Sequence, residues 1–176
     1  MNEVDIFCQK ILYKEYSFDL SKLLINIIKK EKKQVSNIGG DQFSVFVNDK
    51  NFLNVLEEEA NKLAKIIGCE KVFLDNIWLN VNRNKDYNML HDHPNSVVSG
   101  IFYVKVPENS GELIFSNENL IRFYPLKIKE YNKYNSQIWK FEPKENTLYL
   151  FPSWIKHMVS SNFTNEERIS LAFNFR

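Results

Sequence analysis

The hydrophobic pattern of the chain changes at Val72, and this change restricts the folds that the chain can adopt. After Val72, short runs rich in Val, Ile, Phe, Tyr and Trp alternate with turn residues, in VFLDNIWLNVN, SVVSGIFYVKV, GELIFS, QIWKFEP, TLYLF and RISLAFNF. No helix-forming segment separates these runs, so βαβ crossovers are not expected and the strands should form antiparallel sheets. Many short antiparallel strands favour a jelly roll or a similar barrel.

Two segments rich in turn residues predict hairpin connections between these strands. They are PENSG, residues 107–111, and EPKEN, residues 142–146. The segment between Ser116 and Ser136 is less regular. We expect a long loop or a pair of short strands there.

The part of the chain before Val72 has helical spacing instead. Apolar residues within residues 17–33 recur three and four positions apart, which predicts a helix with Ser17 or Asp19 as its N-terminal cap. The lysine-rich residues 29–33 would form the solvated C-terminal end of this helix.

A second helix is predicted from Phe52 to Ile67, where one stripe of residues is apolar. Asp49 or Asn51 could begin this helix, and Gly68 suits the position just beyond its end.

The composition is that of one globular domain. With 176 residues, 44% of them hydrophobic and 14% aromatic, the chain can bury a core without disulfides or a structural metal. We expect a single domain over residues 1–176, with helical support within residues 17–68 and a β core over residues 70–176. Two cysteines, Cys8 and Cys69, are too few for a disulfide framework and suit the reducing cytoplasm.

Charge and hydropathy exclude several classes of partner. A net charge of +1 provides no field for polyanions, so nucleic acid is not expected as a partner. The N-terminal MNEVDIFCQK lacks the features of a secretory signal, and no apolar run approaches the ~18 residues of a membrane span. The abundance of Lys and Asn points to an AT-rich coding sequence, as in a phage or a low-GC bacterium. The sequence leaves open whether the chain forms a homodimer.

All three histidines lie in the strand-rich part of the chain. His91 and His93 form an H-x-H pair, and residues two apart in an extended segment project from the same face. His157 follows a later strand, which antiparallel pairing could bring close to the pair. Three imidazoles could bind Fe, Zn, Cu or Ni. An H-x-H pair on a protein surface also occurs without any function, so the motif alone leaves both interpretations open.

Arg168 is one of only four arginines in the chain, and it begins the last predicted strand. Alternation puts Arg168 and Ser170 on one face of this strand, while the apolar residues occupy the other. An arginine inside a barrel requires an anion, and a bound carboxylate would accept two parallel hydrogen bonds from it. The alternative is a surface arginine that pairs with Glu166 or Glu112.

Taken together, these motifs resemble the Fe(II)/2-oxoglutarate-dependent oxygenases. The resemblance rests on the H-x-H pair followed by SGIFYVKVPENSGEL, then on LYLFPSWIKHMVSSN and EERISLAFNF, with SNIGGDQFS similar to an N-terminal motif of that family. It covers the chain from about Ser36 to Phe175. It implies a double-stranded β-helix, the jelly-roll core also found in cupins, with the N-terminal helices packed outside.

The resemblance also implies a role for each matching residue. His91 and His157 would be two metal ligands, and Arg168 would hold the distal carboxylate of 2-oxoglutarate with Ser170 as its hydroxyl partner. The family's other ligand is usually Asp or Glu at the position of His93. We therefore expect His93 to be the third ligand, with Asp92 as the alternative if a local bulge turns it inward.

Three further side chains are expected to line the cofactor pocket. Tyr103 shares the parity of His93, and Asn80 and Asn82 lie on the strand that precedes the histidines. These groups could equally serve only to satisfy buried hydrogen bonds.

The function implied by the resemblance is that of a dioxygenase. It would use Fe(II), 2-oxoglutarate and dioxygen to hydroxylate an unidentified substrate, which family analogy suggests to be an amino-acid residue of a protein. Substrate choice would depend on loops such as residues 120–136. Two alternatives remain: a cupin-like three-histidine metalloenzyme that does not use 2-oxoglutarate, and a non-enzymatic jelly-roll protein of a phage.

Overall fold

In the part of the chain that the structure describes, twelve strands form two antiparallel sheets that face each other, as the strand pattern predicts. The structure is a computed structural model that describes residues 8–118 and 127–176. From edge to edge, the seven-stranded sheet contains β1 (Leu12–Glu15), β10 (Thr147–Pro152), β7 (Val98–Lys105), β12 (Arg168–Phe175), β5 (Leu74–Asn82), β4 (Asp41–Val47) and β2 (Ile27–Lys33). The five-stranded sheet contains β3 (Asn37–Ile38), β6 (Tyr87–His91), β11 (His157–Val159), β8 (Leu113–Ser116) and β9 (Ile138–Phe141).

The chain passes from one sheet to the other between most consecutive strands from β5 to β12. This topology is the double-stranded β-helix that the resemblance implied. It also shows that the two predicted hairpins are wrong. PENSG leads from β7 in the larger sheet to β8 in the smaller one, and EPKEN leads from β9 to β10 between the same two sheets. The turn residues mark where the chain reverses direction, but the strands on either side pair with more distant partners.

The first predicted helix is correct only at its beginning. Helix α1 (Leu20–Ile25) is capped by Asp19, whose Oδ1 accepts the Lys22 N–H at 3.0 Å. The chain then becomes β2, because Ile27 and Ile28 pair with Val47 and Phe46 of β4. The lysines expected at a helix end therefore lie on an edge strand, where their charge opposes pairing with another chain.

The second predicted helix is confirmed. Helix α2 (Lys50–Ile66) begins after Asp49, which accepts the Phe52 N–H at 3.0 Å. Its buried stripe packs on the outer face of the seven-stranded sheet, and the rings of Phe52 and Phe102 lie 5.0 Å apart. The main hydrophobic core therefore lies outside the sandwich, between this face and the helix.

The space between the two sheets contains a smaller apolar cluster and a polar region beside it. The cluster comprises Ile101, Tyr103, Leu113, Phe115, Tyr149, Phe151, Ile155 and Val159. The predicted irregular segment after Ser116 lies partly outside the described residues, which omit 119–126, and residues 127–136 form loop and turns. None of the helices described is long and apolar enough to cross a membrane.

Candidate metal centre

The three histidines meet between the two sheets. His91, the last residue of β6, lies directly opposite His157, the first residue of β11. His93 follows two residues after the end of β6, and its N–H donates to the Ser153 carbonyl at 2.9 Å. The prediction that antiparallel pairing would bring His157 to the H-x-H pair is confirmed in this geometry.

A β-bulge in β6 orients His91. His157 pairs with His91 but Val159 pairs with Asn88, so β6 contains one extra residue over this stretch. Asn88 and His91 therefore both face the interior, although they are three residues apart, while Met89 and Leu90 are exposed. Alternation along the strand could not have predicted this arrangement.

The imidazoles are spaced as ligands of a single ion would be. The ring centroid of His91 is 4.4 Å from that of His157, and that of His93 is 5.0 Å from each of the other two. One nitrogen from each residue lies within 4.8 Å of the others. The Nε2 atoms of His93 and His157 are only 3.3 Å apart. If both carry lone pairs, they repel each other unless a cation lies between them.

Backbone carbonyls determine which nitrogen is available in two of the histidines. The Nδ1 of His91 donates to the Met89 carbonyl at 2.6 Å, and the Nδ1 of His157 donates to the Ile155 carbonyl at 3.0 Å. Each Nε2 therefore carries a lone pair that points toward the centre, which is the usual arrangement for a metal-binding histidine.

Burial also keeps the three imidazoles neutral. It lowers the pKa of His91, lowers the pKa of His93 to about 4, and holds the pKa of the deeply buried His157 well below its ordinary value. Repulsion from a charged His91 also lowers the pKa of His93, and repulsion from His91 and His93 lowers the pKa of His157. A neutral imidazole is the form that binds a metal ion.

Asp92 does not join this cluster. Its side chain is exposed, and the group of possible ligands contains only the three histidines among the residues described. The bulge lies before His91 rather than at Asp92, so the carboxylate is not turned inward.

A buried network of hydrogen bonds supports the loop that carries His93. Ser153, whose carbonyl accepts the His93 N–H, shares a hydrogen bond of 2.8 Å with the Ser99 hydroxyl. Ser99 in turn donates to Asn174 at 2.7 Å. Ser99 and Ser153 are both almost fully buried, so the network is shielded from water. It fixes the backbone at His93, the one candidate ligand that lies outside a strand.

Arg168, the first residue of β12, is buried, with 1% of its surface exposed. Its Nη1 donates to the Ser110 carbonyl and, at 3.0 Å, to the Ser160 carbonyl, but its Nη2 has no partner. The alternative of a surface ion pair is wrong, because Glu166 pairs with Lys105 and Glu112 with Lys140. Burial lowers the pKa of Arg168, as expected for a charge without a counter-ion.

The other four predicted pocket residues lie next to Arg168 or two positions along the same strands. Ser170, two positions along β12, pairs with Tyr103 of β7 on one side and Asn80 of β5 on the other, while Arg168 pairs with Asn82. The Tyr103 side chain is fully buried, and its hydroxyl has no partner. Burial raises the pKa of Tyr103, so the phenol keeps its proton and can donate it in a hydrogen bond.

The unpaired donors of Arg168 and Tyr103 fit a bound carboxylate. A buried donor without a partner is costly, and a carboxylate would satisfy both groups at once. The three neutral imidazoles likewise form a donor set suited to a divalent transition metal. The residues present therefore fit Fe(II) and a dicarboxylate cosubstrate.

The glycines of SNIGGDQFS allow the β3–β4 turn to pack closely against this region. Gly39 has a positive φ of 82°, and a Cβ there would lie 1.8 Å from the Asp86 carboxylate. A Cβ on Gly40 would lie 2.6 Å from the Val81 carbonyl and 3.0 Å from the side-chain nitrogen of Asn82. The motif is thus explained by the close approach of its two glycines to the Asp86 carboxylate and to β5, and it brings Gln42 beside Asn80.

Sequence reasoning missed several residues around Arg168. The carbonyls of Ser110 and Ser160 hold its guanidinium, and Asn162, fully buried, donates to the carbonyls of Asn82 and Glu166. Backbone carbonyls leave no signal in the residue types. The signal for Asn162 was its position in a turn-rich segment shortly before Arg168.

Comparison with known proteins identifies the family. Residues 76–174, more than half of the chain, match the family model described as "Putative 2OG-Fe(II) oxygenase". The chain belongs to this family. It is therefore an oxidoreductase of the type whose cofactors are Fe(II) and 2-oxoglutarate. Comparison with curated proteins finds no match.

Solved structures of such oxygenases share the fold. A prolyl-4-hydroxylase from Pseudomonas putida superposes with a TM-score of 0.63 at 13% identity, covering 96% of this chain and 92% of that one. The viral collagen prolyl hydroxylase of Paramecium bursaria Chlorella virus-1, solved with 2-oxoglutarate, gives 0.62 at 14% identity, with 94% and 95% covered. HygX from Streptomyces hygroscopicus, with nickel and 2-oxoglutarate bound, gives 0.61 at 9% identity, with 96% and 83% covered.

Proposed function

We propose that this oxygenase binds Fe(II) through His91, His93 and His157, and binds 2-oxoglutarate through Arg168. The observation that carries the proposal is that one sandwich contains both a cluster of three neutral imidazoles and a buried guanidinium whose Nη2 has no partner. With both bound, such a centre supplies the oxidation of a C–H bond by dioxygen, in which the substrate gains a hydroxyl and 2-oxoglutarate yields succinate and carbon dioxide.

The residues at the Arg168 end would hold the distal carboxylate of the cosubstrate. The Nη2 of Arg168 and the Tyr103 hydroxyl are unsatisfied donors at this end, and Ser170 lies on β12 two positions from Arg168 and directly opposite Tyr103. The side chain of Asn82 lies opposite Arg168 and completes this end of the pocket. The carbonyls of Ser110 and Ser160 keep the guanidinium from turning away.

Three imidazoles give the site a charge different from that of a site with a carboxylate ligand. None of them carries a negative charge, so a bound divalent cation keeps its full charge of +2. That charge attracts the dianionic cosubstrate more strongly. The rings of Phe151 and Phe115 lie against the His157 ring, with centroids 4.5 and 6.0 Å from its centroid, and exclude water from it.

We propose an amino-acid residue of a protein as the substrate. Two of the structural neighbours are named prolyl hydroxylases, which supports this class without identifying the residue. Asp92, by contrast, is proposed to play no part as a ligand, since its carboxylate faces solvent.

The test measures succinate in a mixture of the purified protein with Fe(II), ascorbate, oxygen and 2-oxoglutarate. We expect turnover in the wild type, none in Arg168→Ala, and normal turnover in Arg83→Ala, a matched control at a half-exposed arginine. Calorimetry of 2-oxoglutarate binding to the nickel-loaded protein accompanies the assay. A wild type that retains metal but does not bind 2-oxoglutarate would contradict the proposal and favour a three-histidine enzyme of another type.

A further inference from the structure

The buried polar atoms without partners fall into two chemical classes. Arg168 Nη2 is a donor, and the hydroxyls of Tyr103 and Ser110 can donate as well as accept. Asn80 Oδ1 and Gln42 Oε1 are acceptors. Both amide side chains are well buried, with 5% of each residue exposed.

The two acceptors lie side by side on neighbouring strands, and Asn80 is the one that lines the cavity of the histidines. Gln42 of β4 is directly opposite Asn80 of β5, so both side chains project from the same face of the sheet. The neighbouring Leu79 and Val81 belong to the core on the other face, which places Asn80 and Gln42 on the face toward the smaller sheet. Asn80 lines the same cavity as the three histidines.

2-Oxoglutarate cannot satisfy these two oxygens. Its two carboxylates and its ketone offer only acceptors, so it can pair with Arg168 and Tyr103 but not with a carbonyl oxygen. The two oxygens are therefore open to a ligand other than the cosubstrate, one that provides a hydrogen-bond donor.

The donor should be uncharged. Asp, Glu, Lys and Arg are absent from the described residues that line the cavity, and its polar groups besides the histidines are Ser36, Asn80 and Asn88. A buried ammonium group would have no counter-ion there, whereas an amide N–H needs only an acceptor.

We propose that Asn80 and Gln42 form a substrate subsite that accepts hydrogen bonds from a neutral amide N–H of the primary substrate. This proposal rests on the proposed function, since it assigns the substrate side of the same pocket. It gives the enzyme a way to select a peptide-type group and to orient it beside the histidines.

The test compares two probes that differ only in their donors. N-acetylglycine N′-methylamide has two amide N–H groups, and its twin methylated at both nitrogens has none. Binding of each is measured by saturation-transfer NMR on protein loaded with Zn(II) and 2-oxoglutarate, because zinc is diamagnetic. We expect the N–H probe to bind about fivefold more tightly than its twin in the wild type, as one or two good hydrogen bonds would give.

Two variants and one control locate the effect. Gln42→Met and Asn80→Leu remove an acceptor at similar volume, and we expect the ratio between the probes to fall below about twofold in each. Ser44→Ala, on the same face of β4 but opposite Trp78, should keep the full ratio. Stoichiometric zinc binding shows that each variant is folded.

Calorimetry of 2-oxoglutarate separates this proposal from the proposed function. Unchanged 2-oxoglutarate affinity in Gln42→Met and Asn80→Leu supports the subsite. A loss of that affinity in these variants would show that the amides face the cosubstrate, and would overturn the subsite while leaving the proposed function intact. Equal binding of the two probes, or no binding of the N–H probe to the wild type, would also overturn it.

Discussion

The two faces of β12 differ in what they do for the protein. The outer face presents Ile169, Leu171, Phe173 and Phe175 to the main core. The inner face presents Arg168 and Ser170, and at that end Arg168 Nη2 and the Tyr103 hydroxyl are left without partners. One face therefore contributes stability, and the other sacrifices stability to keep polar groups ready for a ligand.

The difference shows why a sandwich suits this chemistry. Because the main core lies outside the sandwich, under α2, the space between the sheets does not need to be filled with apolar side chains. It can hold three imidazoles, a guanidinium and several amides. Each of the following changes disturbs either the main core or the site between the sheets, and should leave the other unaffected.

The largest effect is expected for His157→Ala. This change removes the most buried of the three proposed ligands, so we expect metal affinity to fall by more than about 100-fold, beyond what loss of an outer-shell partner causes. Titration with Zn(II) monitored by calorimetry measures it. Asp92→Asn is the control and should bind metal as the wild type does. A metal affinity that falls with Asp92→Asn instead would reverse the ligand assignment.

On the outer face, Phe102→Ala should cost about 3–5 kcal/mol of unfolding free energy. The Phe102 ring is fully buried and contacts Phe52 of α2 edge-on, so its removal leaves a cavity in the main core. Urea denaturation measures the loss. Metal stoichiometry should stay at one ion per chain in the folded variant. A loss of metal binding in folded Phe102→Ala would show that the two faces are not independent.

On the inner face, Tyr103→Phe should act in the opposite sense. Removing a buried hydroxyl that has no partner should leave the unfolding free energy unchanged or raise it by up to about 1 kcal/mol. The same change should weaken 2-oxoglutarate binding to the nickel-loaded protein by about three- to tenfold, since one hydrogen bond is lost. A destabilised variant with normal 2-oxoglutarate affinity would show that the hydroxyl is structural.

The smallest expected effect is the dependence of the stability of the metal-free protein on pH. Burial lowers the pKa of all three histidines, that of His93 to about 4, whereas in the unfolded chain each takes up a proton near pH 6.5. Between these values the unfolded state binds more protons, so stability should fall as the pH falls from about 6.5 toward 4. Urea midpoints at pH 7, 6 and 5 measure it.

The control for this pH dependence is His93→Gln, which should have a flatter profile than the wild type. Carboxylates also titrate at low pH, but they are common to both proteins and cancel in the comparison. Identical slopes for the two proteins would contradict the assignment of the effect to His93.

The sequence predicted the strands after Val72 and the histidine cluster well, because both depend on residue type and local alternation. Arg168 illustrates this: its parity on β12 correctly placed it on the face opposite Leu171. The resemblance added which histidines and which arginine to expect together.

The sequence could not predict features that depend on pairing between distant strands. Residues 29–33 were predicted to end the first helix, yet they belong to β2, which pairs with β4. The bulge before His91 is invisible because it is defined by its partner, β11, far along the chain. Gln42 was missed because its importance comes from lying opposite Asn80, not from its own neighbours.

The crossing of PENSG and EPKEN between the two sheets has a consequence for folding kinetics. Since β7 and β8 cannot close as a hairpin, and neither can β9 and β10, few contacts can form early between residues close in sequence. Chains with such distant pairings fold in milliseconds to seconds rather than microseconds. His91 and His157 lie on β6 and β11, which are far apart in the sequence, so we expect them to meet late in folding. A metal ion should therefore leave the folding rate unchanged and act by slowing unfolding.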